Sequence, residues 1–87
     1  VTPTQRATIV DLVTATAGVE RLVHVRTMHL GPEEVLLGMK IAVAPGTTVE
    51  QVATLVDAIE VKLRAELPIL KRIYVELAAP DDARAVA

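Results

Sequence analysis

The sequence predicts an α+β fold, one small domain in the order α-β-β-α-β with two helices on one face of a three-stranded mixed sheet. Three observations predict it. Two segments open with helix-start signals, Thr2-Pro3 and Thr48 with Gln51, and continue with apolar residues at helical spacing. Three other segments switch to the two-residue alternation of strands. The 87 residues contain no cysteine and are 52% apolar, so one core must hold by packing alone, without disulfides or thiolate-bound zinc.

The first helix reads from "TPTQRATIVDLVTATAG". Thr2 can cap it, Pro3 suits the first helical position, and Ile9, Leu12, Val13 and Thr16 share one face. Gly18 stands where a left-handed stop is expected. From Val19, "VERLVHVRTMHL" alternates as a first strand, with Leu22, His24, Arg26 and Met28 on one face. Gly31-Pro32-Glu33-Glu34 signals a turn, and "VLLGMKIAV" returns as a second strand with Val35, Leu37, Met39, Ile41 and Val43 on one face. Pro45-Gly46 ends this hairpin.

The second helix starts at the Thr48/Gln51 capping box and carries a stripe of Val49, Val52, Val56, Ile59 and Leu63, until Pro68 stops it. "KRIYVEL" is the third strand, with Ile73, Val75 and Leu77 facing one way and Arg72, Tyr74 and Glu76 the other. A strand, a crossover helix and a strand form a right-handed parallel unit, which sets strand 3 beside strand 2. The result is an abbreviated ferredoxin-like sandwich over residues 1–77, followed by a flexible tail, 78–87, that includes the solubilising Asp81 and Asp82. Helices on one side leave the other sheet face bare, and function is to be sought there.

Composition narrows the function. Tyr74 is the only aromatic residue and the net charge is −2, which argues against nucleic acid as a partner. No apolar run approaches the roughly 20 residues that span a bilayer. The first residues lack the pattern of a signal peptide, so no direct membrane insertion is expected. Apolar surface beyond what so small a core can bury points to a second copy of the chain as partner.

The chain holds two histidines, His24 and His29, and an odd separation puts them on opposite faces of a regular strand. One ion held by both within a single chain would need a β-bulge and further donors, since zinc usually takes four. Glu33 and Glu34 read as solvated charges of the turn. Tyr74 and Glu76 share the bare face, Tyr74 and Arg26 as interface residues, with Glu76 able to pair with Arg26 or another strand cation. Catalysis has no foundation: serine and cysteine are absent, and no group is set in an evident cleft.

The quoted strands and second helix also resemble a family. "GVERLVHVRTMHLGPEEVLLGMKIAV", "PGTTVEQVATLVDAIEVKLRAELP" and "IYVEL" together look like the C-terminal cytoplasmic domain of the cation diffusion facilitator (cation efflux) transporters, over about residues 5–77. The resemblance implies a metallochaperone-like domain on the cytoplasmic side of the cell membrane. It would follow the six membrane helices of a proton-coupled exporter of zinc, manganese, iron or a related divalent cation, and it would form a homodimer. It also implies that the family's soluble-domain zinc ligands are largely missing. The histidine that precedes Arg26-Thr27 by three falls on Val23, beside His24. The strand-2 histidine falls on Met39 or Lys40, the helix histidine near Ala53, and that of the closing strand on Tyr74, with Glu76 alone persisting.

Two alternatives stand beside a dimerising, non-enzymatic module. The domain would sense a divalent cation such as zinc through His24, His29 and Glu76, brought together only between two copies. Or it would be a free-standing ferredoxin-like regulatory domain that takes a small ligand at "APGTT", where Gly46 and the start of the second helix favour an anion.

Overall fold

A computed structural model describes residues 1–79. It contains α1 (Pro3–Thr14), β1 (Val19–Gly31), β2 (Glu34–Val43), α2 (Val49–Glu66) and β3 (Leu70–Leu77). The sheet order is β1-β2-β3, with β1 antiparallel and β3 parallel to the central β2. The expected αββαβ sandwich is the observed one. Of the expected tail, the part from Pro80 on lies outside the described residues. Ala78 still donates its N–H to the Ile41 carbonyl at 2.8 Å, so sheet pairing runs one residue past β3.

Both helices start in the same way. The Thr2 hydroxyl accepts the Gln5 N–H at 3.0 Å, and the Gln5 side chain accepts the Thr2 N–H at 2.9 Å. Thr48 and Gln51 repeat this reciprocal pair at 3.1 and 2.9 Å. Each box satisfies two of the four amide groups that a helix start leaves unpaired. α1 ends at Thr14, earlier than Gly18 suggests. Thr16 then turns its hydroxyl onto the Leu12 carbonyl at 2.9 Å, which lets a polar side chain sit buried. Gly18 does take a left-handed φ of 95°, but within the turn that leads into β1.

The core lies between the helices and the sheet. Val35, Leu37, Met39 and Ile41 of β2 form its floor, with Val25 from β1 and Leu70 and Ile73 from β3. Ile9 and Val13 of α1 and Leu55, Ile59 and Leu63 of α2 close it. α1 packs over β1 and α2 over β3.

Two expectations about faces need correction. The α2 stripe is rotated: Leu55, Ile59 and Leu63 are buried, Val52 and Val56 are half-buried, and Val49 is 85% exposed at the helix start. In β1, a register shift between Leu22 and His24 makes Val23 the extra residue of a bulge. Leu22 pairs with buried Ile41 and packs on the core, whereas His24, Arg26 and Met28 keep to the bare face.

Candidate functional site: the uncovered sheet face

Continuous pairing through the centre of the sheet fixes three rows on the uncovered face. Each row takes one residue from β1, β2 and β3 in turn. They are Met28–Leu36–Arg72, Arg26–Gly38–Tyr74 and His24–Lys40–Glu76. Met28 is 60% exposed and Tyr74 57%, so two of the largest apolar side chains of this chain lie outside the core. The three rows also carry more cations than carboxylates. Arg26, Lys40 and Arg72 stand in them with Glu76, and Glu34 borders Arg72 at the start of β2, on a chain whose net charge is −2.

Glu76 stands in the row of Lys40, not of Arg26, because the parallel register sets which strand cation it neighbours. Arg72 also reaches Glu34, with Nε 4.0 Å from Oε2. Both partners are substantially exposed, so the pair contributes little to stability.

The three candidate metal donors do not gather within one chain. His24 and Glu76 share a row but are separated by β2, about 9–10 Å between backbones. Lys40 stands between them, and its ammonium opposes a divalent cation on electrostatic grounds. His29 pairs with Val35, which turns it to the helix-covered side, and its Nε2 accepts from the Val1 nitrogen at 3.1 Å. Among the described residues, no three histidine, aspartate or glutamate side chains cluster to hold a metal ion. Glu33 lies in the hairpin turn, and Glu34 begins β2.

The possible anion site at "APGTT" opens onto a groove between the α1–β1 turn and α2, lined by Thr16, Gly18, Thr47, Thr48, Gln51 and Lys62. Two backbone N–H groups there, those of Thr48 and Gln51, are already taken by the capping box. That leaves less of the helix start to offer a ligand.

Gly38 has no role in the sequence-based expectations, and Lys40 figures there only as a position where the resemblance sets a missing histidine. Their one signal was a glycine and a lysine within an otherwise apolar strand pattern. No helix among the described residues is long and apolar enough to cross a membrane.

Comparison with known proteins gives these features a context. The family model described as "Cation efflux protein, cytoplasmic domain" matches residues 1–77. No curated protein sequence matches the chain. Among solved structures, a nickel form of an aspartate-to-asparagine variant of the MamM CTD aligns with a TM-score of 0.79 at 23% identity, covering 90% of this chain and 98% of that one. A cadmium form of an aspartate-to-glutamate variant gives a TM-score of 0.78 at 23% identity, over 88% and 95% of the two chains. A MamM CTD with a histidine, a glutamate and a cysteine replaced gives 0.77 at 26% identity, over 87% and 92%. At such identities the likeness carries the fold and leaves the site to be argued from the residues.

Proposed function

This chain belongs to the cation efflux proteins, as their cytoplasmic domain, and from that premise we propose that it pairs two copies of a divalent-cation transporter and regulates them without a strong metal site of its own. Its partners are then a second copy and the membrane part of the parent transporter. It is a regulatory domain of a transport family, not a catalytic one. The uncovered sheet face carries the proposal: it bears exposed Met28 and Tyr74 with Arg26 beside them, and no element of the described residues covers it. Arg26 and Tyr74 are the interface residues of this reading. Sedimentation velocity on the 87-residue chain is expected to give a dimer without added metal. Monomers up to high concentration, with and without zinc, would overturn it.

A second reading rests on the row that His24 shares with Glu76. Two copies meeting at this face would combine two such pairs, and His29 would join only a contact made around the free edge of β1. MamM CTD variants are described in nickel and cadmium forms, which makes divalent cations the ligand class to try. Because Lys40 stands between the donors, we expect no saturable heat when the chain is titrated with zinc or manganese in a calorimeter. Saturable heat that disappears in a His24→Ala/His29→Ala double variant would favour the sensing role instead.

A further inference from the structure

Gly38 occupies the middle of the central strand, where glycine is less stable than alanine because it loses more backbone freedom and has no side chain to pack. Among the described residues, none of the usual intrachain reasons for a strand glycine applies. Left-handed φ angles occur at Gly18 and Gly46, not at Gly38. No bulge falls there, since pairing is continuous on both sides, to Arg26 and to Tyr74. A Cβ added to Gly38 would meet no atom within 4 Å. The remaining reason is a close approach from outside the chain.

On the reading that the chain pairs with itself, we propose that Gly38 is the floor of a socket that receives Tyr74 of the partner subunit. An isologous interface needs a knob and its hollow on one patch. Here the knob is a half-exposed Tyr74, the only aromatic ring of the chain, and the hollow is its neighbour in the same row. Consider two such faces stacked about 10 Å apart, related by a twofold axis that runs along the strands midway between β2 and β3. Rotation about this axis exchanges the β2 and β3 positions of every row. Tyr74 of the partner subunit then lies over Gly38, with Arg26 on one flank and the first copy's own Tyr74 on the other. A cation beside a ring, and two rings about one strand spacing apart, are both favourable arrangements.

The same axis accounts for the charges. It sets Glu76 of the partner subunit over Lys40, and Lys40 of the partner subunit over Glu76, so the opposed central positions carry opposite charges. Arg72 of the partner subunit lies over Leu36, where its aliphatic stem can cover apolar surface while the guanidinium stays wet. One operation thus matches a ring to a hollow and a cation to a carboxylate. The ring match and the charge match lie in different rows of the face.

Two experiments test the socket. In Gly38→Val a branched side chain fills the hollow. Sedimentation equilibrium should then show dimer affinity weakened by about 10-fold or more, while urea unfolding, at a concentration where both chains are monomeric, shows the variant at least as resistant as the parent. Lys40→Glu and Glu76→Lys chains should each dimerise poorly, since every opposed pair becomes like-charged. An equimolar mixture of the two should form heterodimers, because both opposed pairs are then restored between copies. An exchange within one chain could not produce that rescue. A dimeric parent whose Gly38→Val variant keeps full affinity, or whose charge variants fail to recover on mixing, overturns the socket and leaves self-pairing intact. A monomeric parent overturns both.

Discussion

Replacing Ile59 by alanine should lower the unfolding free energy by about 2–5 kcal/mol, read from urea denaturation. Ile59 is fully buried between α2 and the sheet, within a cluster that includes Leu55, Leu63, Leu37 and Ile41. Removing its outer atoms forfeits their burial and leaves a void that close-packed neighbours fill only in part. A domain of this size holds about 5–15 kcal/mol in total, so the variant should melt at least about 10 °C lower. No disulfide shares the load, because the chain has no cysteine. The same truncation at Val49, which is 85% exposed, should change stability by no more than about 0.5 kcal/mol. Equal losses at the two positions would mean that α2 presents the face suggested by its valines and not the one observed.

The second large effect is expected at a turn. Gly18→Ala should cost about 2–3 kcal/mol in the same measurement, and Gly46→Ala about 1–2 kcal/mol. Both glycines hold a left-handed φ, 95° and 86°, which penalises any L side chain. At Gly46 the added methyl would enter open space. At Gly18 it would lie 3.0 Å from the Leu55 Cδ2, and Leu55 is itself buried in the core. The difference between the two variants therefore isolates the contact between the α1–β1 turn and α2. Indistinguishable losses would remove that contact from the account.

Element order and type were legible because the signals are local. A capping box states where a helix begins, and a Gly-Pro turn between alternating runs states a hairpin. The parallel placement of β3 followed from handedness alone. What escaped the sequence depended on registration between distant segments. Alternation in "RLVHVRTMHL" cannot announce that Val23 is an extra residue, and so it predicts the wrong face for Leu22. The valines of α2 are so evenly distributed that several stripes fit, and only the sheet beneath decides among them. For Glu76 the sequence allows Arg26 or another strand cation as partner, and only the sheet order and the register of β3 on β2 make the neighbour Lys40.

The bare face was legible from topology, since two helices cover one side of a sheet. Its individual residues were legible only in part. Parity separated His24 from His29, and the pairing between them is indeed unbroken. Gly38 carried no local mark of purpose. A glycine in a strand reads as a weakness until its neighbours across both ladders, Arg26 and Tyr74, are known.

The absence of phenylalanine and tryptophan has a spectroscopic consequence. Every near-ultraviolet signal of this chain originates in one phenol ring, and that ring stands outside the core, on the uncovered sheet. Tyrosine emission and near-ultraviolet dichroism therefore report what touches that face. Loss of core packing would be read from the backbone in the far ultraviolet. The molecule carries its own optical probe of association, separate from the probe of its folding.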